Sequence, residues 1–411
     1  TSGSTSYGFL GMANDFITYL SVIVSVLNSV VSRFIALSVS KGDTHRANQY
    51  FSSTLIANIV LSVAFCVIGY FFISDIDKFI NIGPSLITDV QITFAVTLAT
   101  YVVTILSSLF TVGTYVTNRL DINAYRNIIQ YTLRLACIVV CFTCIGSNIY
   151  YVSISSLVAS VIIAITNIRL NHRLVPELRI SASFFSFRYL KEIIASGVWI
   201  SLSNLSTIFI RYFDLIIANL FISAYAMGLL SSARTMPNYA TTLITTLGAL
   251  FTPSLVIAYA SGERQSVIEQ TVDSMKIMTF SLFTPLVGFM IFADNFYALW
   301  LDTLTSQEIA TVSIVSTITM AQALFNAMTQ PVAQLSIVTN KVRVPVIASL
   351  ICGFGNLLLI YFLLRFTNLG IFAISVSSTI IMLARYILFN CMYSERIISA
   401  PAGTFSKHVA K

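Results

Sequence analysis

Eleven apolar runs follow one another along this chain, at roughly 13–38, 51–73, 91–117, 124–146, 149–168, 193–220, 226–257, 270–296, 309–339, 345–365 and 369–392. A helix of about 20 apolar residues crosses a hydrocarbon core of about 30 Å. Inside lipid every backbone N–H and C=O must be bonded within the protein, which leaves helices or closed barrels. Barrel strands alternate apolar and polar residues. These runs are continuous, so they predict helices, and the fold class is an all-α polytopic membrane protein with about eleven transmembrane helices visible. Composition agrees, since 56% of the residues are hydrophobic and 9% are charged, a balance that a soluble domain of this size does not show.

One run recurs. Tyr7-Gly8-Phe9-Leu10 through Lys41-Gly42-Asp43 aligns without a gap on Met227-Gly228-Leu229-Leu230 through Ser261-Gly262-Glu263, 220 residues later. Gly8/Gly228, Leu10/Leu230, Ala13/Ala233, Tyr19/Tyr239, Leu27/Leu247 and Gly42/Gly262 are identical, and Ser21, Ser25 and Ser32 meet Thr241, Thr245 and Thr252. The match frames a whole hydrophobic segment, with a small-residue entry and a Gly-acidic exit. Two copies of a membrane unit predict a transporter whose substrate path lies between parallel-repeat lobes around a central cavity.

Basic residues fix the orientation. Lys41 and Arg46, Arg119 and Arg126, Arg169, Arg173, Arg179, Arg188 and Lys191, Arg264, Lys341 and Arg343, then Arg396, Lys407 and Lys411 fall on alternate connections. By the positive-inside rule these face the cytoplasm. The opposite connections hold Asp75, Asp77, Asp89, Asp294, Asp302 and Glu308, against Lys78 and Arg365. The net charge of +7 thus answers to anionic lipid and implies no nucleic acid.

The longest cytoplasmic connection mixes basic residues with Phe184, Phe185, Phe187 and Tyr189, as a segment lying on the membrane does. The expected organisation is an N-terminal lobe at 1–168 with five of six helices, a cytoplasmic interfacial linker at 169–192, a C-terminal lobe of six helices at 193–392, and a basic cytoplasmic tail at 393–411. With six helices to a half, one helix is expected ahead of Thr1, and further helices beyond the tail. Thr1 to Ser6 carries neither region of a signal peptide.

Catalytic chemistry is scarce. Cys66, Cys137, Cys141, Cys144, Cys352 and Cys391 all fall within spans; Cys137, Cys141 and Cys144 could share one helical face, but no His or carboxylate stands near them, so they read as packing residues and no metal site is expected. His45, His172 and His408 lie in cytoplasmic connections, where none can relay protons within the membrane. Asp75-Ile-Asp77 reads as loop polarity. The outer connections, at most about seventeen residues, are too short for the acid, base or metal residues of a membrane-embedded polymerase or glycosyltransferase. The chain reads as no enzyme, with no catalytic residue and no cofactor.

Charge inside a span is expensive unless it faces a cavity or a partner. Arg211 and Asp214 stand three apart, close enough to pair on one helix face, and Arg234 lies two turns inside the next span. Arg134 and Arg385 lie nearer the cytoplasmic end; Arg33, Arg365 and Arg385 read as structural, with Arg33 and Arg365 able to snorkel. Thr319, Gln322, Asn326 and Gln330 form a polar stripe at helical spacing, and so do Thr93, Thr97, Thr100, Thr104, Ser107, Thr111 and Thr114. The threonine stripe reads equally well as hydroxyls bonding their own helix. Arg211, Asp214, Arg234, Gln322, Asn326 and Gln330 are the candidate cavity residues. Arginines in excess over acids point to an anionic substrate, because guanidinium binds phosphate in a forked geometry. Pro237, Pro253, Pro285 and Pro331 are expected to kink the second half.

The repeat unit with Arg33-Phe34-Ile35-Ala36 and Lys41-Gly42-Asp43, the Asn118-Arg119-Leu120-Asp121 connection, and Tyr212-Phe213-Asp214 with Tyr225 and Gly228 resemble the Wzx-type polysaccharide flippases. These belong to the multidrug/oligosaccharidyl-lipid/polysaccharide exporter superfamily, and the resemblance covers essentially the whole chain. It implies two six-helix lobes about a cationic cavity. It implies alternating-access flipping of an undecaprenyl-diphosphate-linked oligosaccharide across the bacterial cytoplasmic membrane, among membrane lipids and with polysaccharide polymerase and co-polymerase proteins as partners. Arg234, nineteen residues before Pro253, is similar in spacing to a cavity arginine of the lipid II flippases. The rival within the superfamily is a cation-coupled drug or metabolite exporter.

Overall fold

The computed structural model describes residues 3–407; Thr1, His408 and Lys411 lie outside the described residues. Among the described residues there is no strand, and eleven helices are long and apolar enough to span a membrane. They are α1 Gly3–Ser40, α2 Thr44–Ser74, α3 Pro84–Val116, α4 Asp121–Cys144, α5 Tyr150–Leu174, α6 Phe187–Phe221, α7 Ala224–Ala260, α8 Arg264–Trp300, α9 Ser306–Val338, α10 Arg343–Phe366 and α11 Ile371–Ile397. Each contains most or all of one apolar run, so the protein is an all-α, multi-pass membrane protein.

The chain divides into two compact units between Leu205 and Ser206, inside α6. In the first, α1, α2 and α3 pack on one another, α3 packs on α5, and α5 on α4. In the second, α7, α8 and α9 pack on one another, α9 packs on α11, and α11 on α10. The order of partners is the same in both.

The turns repeat as well. Gly42 closes α1 at φ 75° and Gly262 closes α7 at φ 76°, the left-handed conformation that glycine adopts without steric cost. Gly42 N donates to Val39 O at 2.9 Å, and Gly262 N to the matching Tyr259 O at 3.3 Å. A second pair of turns follows α3 and α9, where Thr117-Asn118-Arg119 and Thr339-Asn340-Lys341 each hold the asparagine at φ 55°. Arg119 N donates to Thr114 O at 2.8 Å and Lys341 N to Ser336 O at 2.9 Å, the long-range bond of a Schellman C-cap. This pair is offset by 222 residues, so a scan at 220 passes over it.

Small residues bring α6 close to its neighbours. In the first unit a Cβ on Gly197 would sit 1.9 Å from Val26 O, and one turn later Ser201 Oγ donates to Val22 O at 2.7 Å. The segment between α5 and α6 is stapled to α2: Asn48 Oδ1 accepts from Arg179 N at 2.8 Å, and Ser53 Oγ from Ser186 N at 2.9 Å. Beside it Arg46 donates to Tyr50, whose hydroxyl donates to Glu192 at 2.8 Å. The threonine stripe of α3 mostly bonds its own helix, as Thr93, Thr100 and Thr104 do to the carbonyls four residues back, while Thr97 pairs with Ser153 of α5 at 3.0 Å. In the second unit the segment after α11 folds back. Buried Glu395 accepts from Gly403 N and Phe405 N at 2.9 and 2.8 Å, and Phe405 is fully buried among Val267, Met275 and Leu335.

Candidate functional site

The site begins with a break in a helix. α6 runs from Phe187 to Arg211, is interrupted at Tyr212 and Phe213, and resumes at Asp214. The break frees carbonyls that a spanning helix would otherwise bond. Two side chains take them: Asn356 Nδ2 donates to Ile210 O at 3.4 Å, and Arg234 Nη1 to Arg211 O at 3.3 Å. Asn356 is fully buried and fixed in turn by Ser377 Oγ, which donates to its Oδ1 at 2.8 Å. Gly353, one turn earlier on α10, permits the approach, because a Cβ there would lie 2.6 Å from that of Phe209. The charges suit the break. Arg211 ends one half-helix and Asp214 opens the next, so each complements the partial charge of its helix end. The continuous helix face expected to carry both residues gives way to an interruption that they flank.

Two adjoining cavities open around it. The smaller, of about 50 Å³, is lined by Arg211, Asp214, Arg234, Thr319 and Gln322, with Ser375 and Ser378 from α11. The larger, of about 340 Å³, is lined by Arg211, Asn326, Gln330, Arg385, Tyr386 and Asn390, among others. Ile210, Arg211, Thr241 and Tyr386 border both. The stripe on α9 is what spans them, with Thr319 and Gln322 on the smaller wall and Asn326 and Gln330 on the larger. Gln330 is seated where α7 carries Gly248, since a Cβ there would meet Gln330 Cγ at 2.4 Å. On α7, Arg234, Pro237, Asn238 and Thr241 share the face that lines the smaller cavity.

The six candidate residues thus line the two cavities, four on the smaller and, counting Arg211 again, three on the larger. Two further residues belong here: Arg385, which the sequence marks as a charge within a span but reads as structural, and Asn356, which it does not mark. Arg385 rides on a π-helical turn, Ala384–Asn390, inside α11, and π turns concentrate at functional sites. A single arginine near a span end carries no signal of that turn and reads as structural. Asn356 has a faint signal, as the one amide in a strongly apolar span. Among the described residues, Asp214 is the one carboxylate on the smaller wall, and the larger wall has none.

A family of polysaccharide biosynthesis proteins matches residues 3–251. The chain is 24% identical over 411 residues to a membrane protein of Bacillus subtilis, EpsK, described as uncharacterized; the alignment covers all of this chain and 79% of that one. Among solved structures, the inward-facing conformation of a multidrug resistance transporter of the MATE family, in the MOP superfamily, superposes with a TM-score of 0.84 at 15% identity, covering 97% of this chain and 93% of the other. A MOP-superfamily transporter from Pyrococcus furiosus, reported with a binding pocket of reversed polarity, gives 0.72 at 14% identity, with 97% and 89% covered. These likenesses show the MATE fold. With its match over more than half its length, this chain belongs to the polysaccharide biosynthesis protein family.

Proposed function

We propose that this protein is a flippase that carries an undecaprenyl-diphosphate-linked oligosaccharide across the bacterial cytoplasmic membrane by alternating access. The observation that carries the reading is the larger cavity, which has arginine and amide side chains on its walls and no carboxylate. Such a surface suits a diphosphate, which accepts forked hydrogen bonds from guanidinium, and the amides suit sugar hydroxyls. The family match supports the same reading. Arg211, Asp214, Arg234, Gln322, Asn326 and Gln330 are the proposed site, with Arg211 contacting the anion and Arg234 setting the backbone that carries Arg211. The prenyl chain stays in lipid while the head group crosses. Affinity must differ between the two states of the cycle, because a ligand bound equally by both shifts nothing.

A second reading, a cation-coupled exporter of drugs or metabolites, draws on the MATE fold and on Asp214 at the smaller cavity. Complementation separates the two. In a strain lacking its own flippase, Arg211→Ala is expected to abolish glycan export at unchanged membrane abundance, and Arg211→Lys to restore it in part, since an ammonium cannot reproduce the fork. Full export by the alanine variant would overturn the proposal. Drug resistance conferred by the wild type, without glycan export, would favour the exporter.

A further inference from the structure

We infer that Arg211 and Arg385 together form a seat for a phosphate-class anion in the larger cavity, and that Arg234 braces this seat without belonging to it. The identity of the anion as a lipid-linked diphosphate rests on the flippase reading; the seat itself rests on geometry. Both guanidinium groups line one cavity, from different helices; among the described residues its wall carries no carboxylate, and Asp214 borders Arg211 only on the smaller cavity. The Arg385 Nε is buried without a hydrogen-bond partner, as are those of Arg46, Arg126 and Arg134, and Arg385 differs from them in sharing a cavity wall with Arg211. An arginine in a span with an idle donor is costly unless something outside the chain meets it. Two positive groups about a cavity of 340 Å³, ringed by the amides of Asn326, Gln330 and Asn390, call for a compact multivalent anion.

The π turn explains why this wall is polar. Continued in α-helical register from Met382, α11 would bring Phe389 toward the face that carries Tyr386. The wider turn brings Met382, Arg385, Tyr386 and Asn390 onto the cavity wall instead. Phe389 is left to stack on Tyr393, with ring centroids 5.4 Å apart. One extra residue in the turn therefore exchanges a phenyl ring for an amide beside Arg385. Arg234, by contrast, spends a donor on the Arg211 carbonyl and lines the smaller cavity, beside Asp214.

The test titrates inorganic pyrophosphate, and separately a short-chain prenyl diphosphate, into the purified full-length protein in detergent. Binding is expected in the wild type, weakened at least tenfold by Arg385→Gln and by Arg211→Gln, partly kept by Arg385→Lys, and unchanged by Arg365→Gln at the end of α10. Monodispersity and melting temperature show that each variant is folded. Absence of binding by the wild type, or wild-type binding by Arg385→Gln, would overturn the seat. Stronger binding of the prenyl ligand assigns the seat to a lipid-linked anion, and binding of pyrophosphate alone assigns it to a soluble one. The same variants in the export assay keep the two proposals apart. Lost binding with normal export sinks the flippase use of this cavity and leaves the seat standing; normal binding with lost export does the reverse.

Discussion

Arg234 and Asn356 have the same task, to satisfy backbone that α6 leaves open. A hydrogen bond to a charged group contributes about 1.5–3 kcal/mol, and a buried acceptor left without one costs about 1–3 kcal/mol. Arg234→Ala is therefore expected to lower the unfolding free energy by about 1–3 kcal/mol, read as a drop in melting temperature in detergent, with pyrophosphate affinity falling less than in Arg385→Gln. An unchanged melting temperature would show that Arg234 does not brace the break. Arg211, Asp214 and Arg234 were legible in the sequence because charge inside an apolar run is rare and conspicuous. What Arg234 bonds was not, since its acceptor is a carbonyl, and every residue has one.

At the scale of elements, the spans were legible because each is a continuous apolar run, but several helices extend five to ten residues beyond the run, as α1 does in starting at Gly3 and α2 at Thr44, because polar turns of helix outside the lipid carry no apolar signal. The interruption in α6 was not. No proline or glycine stands at Ile210-Arg211-Tyr212-Phe213-Asp214, and the break persists because side chains from α7 and α10 hold it open. The break in α7 was better marked, since Pro253 opens its second segment, Thr252–Ala260. Gly353 is the residue on which the α6–α10 contact turns. Gly353→Val is expected to destabilise by about 1–3 kcal/mol through overpacking, because its Cβ would meet Phe209 at 2.6 Å. Gly288, where an added Cβ would meet nothing within 4 Å, is the comparison: Gly288→Ala is expected to leave the melting temperature unchanged or slightly raised. Equal losses at the two glycines would show that close approach is not what Gly353 provides.

Across the whole molecule, the repeat was half legible. The ungapped match found the Gly42 and Gly262 turns, whereas the Asn118 and Asn340 turns sit two residues out of step and share a Val-Thr-Asn-basic signature. Both pairs lie on connections rich in basic residues, and that supports a topology test. In a cysteine-free background, single cysteines at Gly42, Asn118, Gly262 and Asn340 are expected to resist a membrane-impermeant thiol reagent in intact cells, and cysteines at Asp77 and Asp302 to react. Labelling of the first set alone would invert the orientation. The interruption in α6 has one further consequence, in mechanical terms. Bending an intact spanning helix means breaking backbone bonds in lipid, where nothing replaces them. At Tyr212 and Phe213 the helix is interrupted, and the carbonyls of Ile210 and Arg211 just before it are held by side chains of neighbouring helices, so compliance is concentrated at one joint while the rods on either side stay stiff. Arg211 hangs from that joint, and a few degrees of flexing there would swing its guanidinium further than any other group on the cavity wall of α6.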